Sequence, residues 1–174
     1  MLSELPGKLR EVELHIHEAF ADSPYPGDDN LIRPDDAWDT EGIDDILRGS
    51  RWDEVALWFI FYGPTLAFWL LTDEAQRHYL PLWMVISLYA EAEGTGGATD
   101  TALTYLAPPP HSPRRRSNEE FRQFMASFTP RQVAVVREFI RLFVDDFSNG
   151  FDSVLASVSR AWLGDDRHQS ASGK

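Results

Sequence analysis

Three oxygen-bearing side chains follow a Pro-Gly turn near the start of the chain, namely Asp28, Asp29 and Asn30. Mg²⁺ and Ca²⁺ bind several hard oxygen ligands, so this triplet is a candidate site for a divalent cation. The spacing matches no EF-hand, and further ligands such as Asp35 and Asp36 would have to converge by folding. The alternative is that Asp28 and Asn30 form Asx turns that cap the loop, and we favour it.

Histidines offer a second kind of chemistry. His15 and His17 are two positions apart, about 200° around a regular helix, so they do not face one metal site. His78 lies four residues after Glu74, which permits an acid–base pair. A helix that begins at residue 73 explains Glu74 more simply, because a carboxylate in the first turn complements the helix dipole.

Motifs for the common catalytic machineries are missing from the sequence. It contains no cysteine, which excludes thiolate nucleophiles, disulfides and thiolate-bound metals. G-x-S-x-G, H-E-x-x-H, the P-loop pattern and G-x-G-x-x-G are also absent. We therefore expect no cofactor and favour a protein that is not an enzyme.

Charge is unevenly distributed along the chain. The net charge is −12, and residues 22–54 carry 11 Asp and Glu against 3 Arg. This excess of negative charge disfavours the binding of nucleic acid, whose phosphates require a positive surface. It suits a basic protein partner or divalent cations. Two aromatic residues lie in the same segment, and aromatic anchors surrounded by polar residues are typical of protein interfaces. The candidate partner-binding residues are Tyr25, Asp28, Asp29, Asp35, Asp36 and Trp38.

Helical periodicity and capping signals predict the elements that position these residues. Residues 9–21 form an amphipathic pattern, and a long acidic loop follows over 23–40, in which Trp38 could instead clamp the loop onto the core. A short helix is expected at 41–48, ended by Gly49. Thr72 caps a helix over 73–93 that Pro81 kinks or splits. Capping boxes at Ser117 and Thr129 open two more helices, and a last helix covers 151–163.

These elements predict a mainly α protein, with a single compact domain of about six helices over 1–163. Residues 94–117, rich in Gly, Pro and Arg, are expected to be a flexible excursion, and 164–174 a disordered tail. The run 57–62 fits helix or strand, with helix favoured. The apolar run 55–71 is short and interrupted, so we expect a core segment, no membrane span and a cytoplasmic protein.

Four short motifs occur in a fixed order: PGDDNL at 26–31, RGSRW at 48–52, RHYLP at 77–81 and FTPRQ at 128–132. Their order resembles a family of uncharacterised bacterial proteins, one of the domains of unknown function. The resemblance covers roughly residues 16–143. It implies a mainly helical bacterial protein and supplies no catalytic residues.

The sequence leads to two hypotheses about function. The first is a non-catalytic interaction protein of the immunity or antitoxin type, whose acidic face covers a basic partner. The second is a divalent-metal protein or enzyme that uses the Asp-rich loop 28–45. A purely structural or regulatory role is not separable from the first by sequence.

Overall fold

The computed structural model describes residues 4–33, 42–55, 70–95, 97–111, 117–146 and 152–164. The predicted mainly α fold is confirmed, since these residues form seven α-helices, one 3₁₀ turn and no strand. The helices are α1 Gly7–Phe20, α2 Ile43–Leu47, α3 Asp73–Ala92, α4 Gly97–Leu106, α5 Asn118–Ala126, α6 Pro130–Asp146 and α7 Asp152–Leu163, and the 3₁₀ turn is Asp28–Asn30.

The chain divides into two compact units, Met1–Ala102 and Leu103–Lys174. The first unit contains α1, the 3₁₀ turn, α2 and α3. The second contains α5, α6 and α7, and the division falls inside α4. A single domain over 1–163 stays a prediction.

In the first unit α1 packs against α3. The buried residues of α1 recur at helical spacing, as the sequence predicted: Leu9, Val12, Glu13, Ile16 and Phe20. Glu13 is a carboxylate in this otherwise apolar face. It pairs with Arg10 and accepts a hydrogen bond of 3.1 Å from the hydroxyl of Tyr89 on α3. Both partners keep the buried charge satisfied at the contact between the two helices.

Helix α3 begins where its capping signal predicts. Thr72 Oγ1 accepts a hydrogen bond of 3.1 Å from the N–H of Ala75, and Asp73 and Glu74 occupy the first turn. The helix continues without interruption through Pro81, so it does not split there. Most residues on both sides of Pro81 are buried, and this burial outweighs one missing backbone hydrogen bond.

The described part of the predicted acidic loop is tied to the start of α3. Ile32 forms an isolated antiparallel bridge with Leu71, and the Thr72 hydroxyl donates a 2.6 Å hydrogen bond to the carbonyl of Asn30. Residues 34–40 of the predicted loop lie outside the described residues, as do 57–62 and 165–174. The loop that precedes this bridge is therefore held at a fixed position against α3.

The second unit is organised around α6 and α7, which pack against each other. Both predicted capping boxes are present, at Ser117 and at Thr129, where Gln132 completes the second one. Trp162 of α7 is 1% exposed, and its indole N–H donates a 2.8 Å hydrogen bond to Leu106 O. The helices of this unit thus surround a core that includes Trp162.

The segment 94–117 differs from the flexible excursion expected from its composition, because it contains helix α4. Glycine, proline and arginine are concentrated at the two ends of this segment. Between them, Ala102, Leu103, Tyr105 and Leu106 are buried. Burial of these apolar residues stabilises a helix that the average composition of the segment conceals.

Thr72 links two elements, so its replacement tests how α3 positions the loop. We expect Thr72→Ala to lower the free energy of unfolding by about 1–2 kcal/mol, because the Ala75 N–H and the Asn30 carbonyl both lose their partner. Thr72→Ser keeps the hydroxyl and should remain within about 0.5 kcal/mol of the parent chain. Urea denaturation followed by circular dichroism measures both, and equal losses would contradict the assignment.

Candidate functional site

A tyrosine and an aspartate of the loop meet the end of helix α2. The Tyr25 hydroxyl donates to Asp28 Oδ1 at 2.5 Å. The N–H of Gly49 is shared between the Tyr25 oxygen at 2.8 Å and Asp28 Oδ1 at 3.0 Å. Gly49 has a φ of 68°, the left-handed conformation that turns its N–H back at the end of a helix.

Tyr79 of α3 binds the same end of α2 from the protein interior. Its hydroxyl lies 2.9 Å from the carbonyl oxygen of Leu47 and 2.7 Å from that of Ser50. Tyr79 is fully buried, and this burial raises the pKa of its hydroxyl above the usual range. The hydroxyl therefore stays protonated and acts as a donor. We call Tyr25, Asp28, Gly49 and Tyr79 the tyrosine clamp.

The hydrogen bonds of the clamp also determine the protonation states of Tyr25 and Asp28. The hydrogen bond from Tyr25 lowers the pKa of Asp28, so this carboxyl is ionised at neutral pH. Burial and the Asp28 carboxylate raise the pKa of Tyr25, which keeps the phenol protonated. Each group thus holds the other in the form that the shared hydrogen bond needs. Tyr25 and Asp28, both predicted as partner-binding residues, are brought together here, and their contacts fix the loop.

His78 lies directly beside the clamp and is 2% exposed. Its ring packs edge-on against Tyr25, at 5.7 Å between centroids, and against Tyr79 at 4.7 Å. The N–H of Trp52 donates to His78 Nε2 at 3.2 Å. Burial lowers the pKa of His78 to about 4, so the imidazole is neutral at physiological pH.

The acid–base pair considered for His78 and Glu74 does not form. The Glu74 carboxylate instead accepts a 2.7 Å hydrogen bond from Asn30 Nδ2. The His78 ring is oriented by the backbone N–H of Trp52, which donates to its Nε2. The sequence pattern suggested a contact between neighbours on one helix. The structure favours a contact with the loop because Thr72 already holds the Asn30 backbone beside the first turn of α3.

Besides Asp28, five exposed carboxylates lie on the two chain segments joined by the clamp. They form what we call the acidic rim: Asp22, Asp29, Asp45, Asp53 and Glu54. Arg51 connects the segments, because its guanidinium donates to Ala21 O at 2.8 Å and to Asp53 Oδ1 at 3.1 Å. The hydrogen bond and charge of Asp53 raise the pKa of Arg51, and Glu54 and Asp22 add to the effect. Most of the rim therefore surrounds one arginine.

The two units differ strongly in charge. Residues 1–102 contain 20 Asp and Glu against 6 Lys and Arg, whereas residues 103–174 contain 8 against 10. The acidity of the chain thus belongs to the first unit, which also carries the clamp and the rim. A field of one sign over one unit favours encounter with a cationic molecule.

The proposed cation ligands do not form a joint site among the described residues. Asp28 Oδ1 is used by the clamp, the Asn30 amide binds Glu74, and Asp29 is exposed. No group of three His, Asp or Glu side chains in the described ranges is arranged to hold a metal ion. Asp35, Asp36 and Trp38 lie outside those ranges, so their part in a metal or partner site stays a prediction.

Sequence reasoning did not bring Gly49, His78, Tyr79 and Trp52 together in one site, since His78 was considered only with Glu74 and Gly49 only as the end of a helix. Tyr79 falls on the apolar pattern of α3, which indicated only a core position. Trp52 has an indole N–H that donates to Phe20 O at 3.1 Å, and its ring packs against His17 at 4.8 Å. The one available signal was Gly49, whose position just after a predicted helix indicated a fixed turn.

Comparison with protein-family models, curated proteins and solved structures gives no match to the chain. The resemblance of its four motifs to a bacterial family stays a prediction. Within the described residues, no helix combines the length and the apolar character that a membrane crossing requires.

Removing each tyrosine hydroxyl tests the clamp. We expect Tyr79→Phe to lower the free energy of unfolding by about 1–3 kcal/mol, because two carbonyl oxygens beside a buried ring lose their donor. Tyr25→Phe should cost about 0.5–1.5 kcal/mol, since water reaches the exposed Asp28 carboxylate and partly replaces the phenol. Denaturant titration orders the two variants, and a Tyr79→Phe chain as stable as the parent would refute the clamp.

Proposed function

We propose that the first unit is a non-catalytic interaction domain whose acidic rim binds a basic protein, in the manner of an immunity protein or antitoxin. The observation that carries this proposal is the attachment of the rim to a fixed framework. Tyr25, Asp28 and Gly49 join the two segments that bear the carboxylates, and Arg51 joins them a second time. A charged surface ordered before binding loses little conformational entropy on association.

The charges support a cationic partner. Asp28 is ionised, the five rim carboxylates are exposed, and the unit carries a large excess of negative charge. Such a surface accelerates encounter with a positively charged protein and repels nucleic acid and other acidic molecules. The expected strength of this steering falls with salt, since charges more than about 10 Å apart are largely screened at 0.1 M ionic strength.

Burial supports a role without catalysis. The two groups of the site with the most strongly shifted pKa values, His78 and Tyr79, are 2% and 0% exposed. Both are neutral at physiological pH and engaged with backbone groups of α2 and the following turn. A general acid or base must reach a substrate proton, and neither group does so in this arrangement.

We place the protein in the cytoplasm, whose reducing conditions suit a chain without cysteine.

The rim can be neutralised without disturbing the clamp. In Asp22→Asn/Asp29→Asn/Asp45→Asn three rim carboxylates lose their charge while Asp28 and the Arg51–Asp53 pair are kept. The control is Glu4→Gln/Glu11→Gln/Asp145→Asn, which changes net charge equally at exposed positions outside the rim. Both variants should retain the melting temperature of the parent.

The binding experiment has two steps. Affinity capture from a lysate of the native host at low salt identifies the bound protein, which is then purified and its association rate measured by surface plasmon resonance. We expect a basic protein whose association rate falls about tenfold in the rim variant and much less in the control. The proposal fails if no basic protein is retained at low salt, or if both variants weaken binding equally.

A further inference from the structure

His78 connects three parts of the first unit that are far apart in sequence. It belongs to α3, accepts the Trp52 N–H from the turn after α2, and packs against the Tyr25 ring of the loop. The loop and the turn belong to the two longer segments, 22–29 and 45–54, that carry the acidic rim. His78 is thus the internal contact shared by both segments and α3.

The hydrogen bond from Trp52 determines which nitrogen of the ring carries the proton. Nε2 accepts this bond, so the single proton of the neutral ring resides on Nδ1. Nδ1 is buried, and no group of the described residues lies in good hydrogen-bond geometry with it, although the backbone carbonyls of Pro24 and Ser23 are near enough to favour a proton on the ring. A second proton would have to bind Nε2, where it meets the Trp52 N–H head-on. The contact therefore exists only with a neutral imidazole.

Burial of His78 outweighs the neighbouring groups that favour its charged form. Burial is the largest influence and lowers its pKa to about 4. The carbonyls of Pro24 and Ser23 and the carboxylate of Asp53 favour the cation, and Arg51 opposes it. The adjoining phenols of Tyr25 and Tyr79 are protonated and uncharged, and His17 contacts Trp52 on α1. No carboxylate hydrogen bond to this ring occurs in the described residues.

We propose that His78 is a proton-operated latch, which holds the loop 21–28 and the turn 50–52 against α3 while neutral and releases them when a second proton displaces the Trp52 N–H. The latch is a property of the free protein and stands whether or not the acidic rim binds a partner. As the pH falls, we expect the first unit to open locally before the second unit unfolds.

The direction of the effect follows from linkage. The pKa of His78 is about 4 in the closed state and near 6.5 once the ring is exposed. Above pH 6.5 both states hold a neutral ring, and the latch has its full stability. Between pH 6.5 and 4 only the open state takes up a proton, so the closed state loses stability as the pH falls. The open population should rise on the order of a hundredfold across this interval.

The protonation state and the tautomer of the His78 ring can be measured in the unaltered protein. Long-range ¹H–¹⁵N correlation spectra at neutral pH should show His78 protonated on Nδ1 and unprotonated on Nε2, with titration well below pH 6. A proton on Nε2 at neutral pH, or a titration near pH 6.5, would overturn the proposal. Because this measurement uses the unaltered protein, it tests the proposed role of His78 even if replacement of His78 prevents folding.

Hydrogen exchange then tests the opening. Protection of the Trp52 amide, corrected for intrinsic exchange, should fall on the order of a hundredfold between pH 7 and 4, while amides of α6 remain protected. His78→Gln supplies a non-titrating oxygen acceptor and should abolish the pH dependence. His17→Gln removes the other imidazole near Trp52 and should leave it unchanged. A fall that persists in His78→Gln, or that disappears in His17→Gln, would refute the latch.

Discussion

The first unit depends on how the carbonyl groups at the end of α2 are satisfied. A helix of five residues makes few internal hydrogen bonds, and most of its carbonyls must find donors elsewhere. Tyr79 supplies a donor to Leu47 O and Ser50 O from α3. Gly49 then turns the chain so that its N–H points at Tyr25 and Asp28. Satisfying the end of one short helix therefore fixes both the loop before it and the turn after it.

This arrangement places neutral groups underneath charged ones. Tyr79 and His78 are buried without charge, while Asp28 and the rim carboxylates face water. A weakly polar interior below the surface directs the field of the carboxylates toward the solvent, the side from which the proposed basic partner would approach. Arg51 offsets part of the repulsion between Asp22, Asp53 and Glu54. The same arginine spans the two segments through Ala21 O, so it stabilises the framework and the charge pattern together.

Local signals predicted the helices well, because caps and periodicity act within a few residues. Thr72, Ser117 and Thr129 each form the cap that their sequence context predicts. Contacts between distant segments were the ones missed. Glu74 was considered as a partner of His78 and was explained more simply by the helix dipole, yet its carboxylate binds Asn30, 44 residues away. Tyr25 was predicted as a partner-binding residue, and its contact with Gly49 was not foreseen. Such pairs depend on the folded chain and leave no periodic trace in the sequence.

The use of histidine at position 78 has a physical reason. The buried N–H of Trp52 needs an acceptor, which a purely hydrocarbon ring of similar size does not offer. Imidazole supplies that acceptor and still packs against two tyrosines, but it cannot take up a second proton on Nε2 without losing the Trp52 N–H. Acid adds a charge to this buried ring, whereas the hydrogen bond from Tyr25 holds the pKa of Asp28 below its usual range. Acid therefore weakens the framework that holds the rim from its buried side, through a ring that cannot take up a second proton without losing the Trp52 N–H.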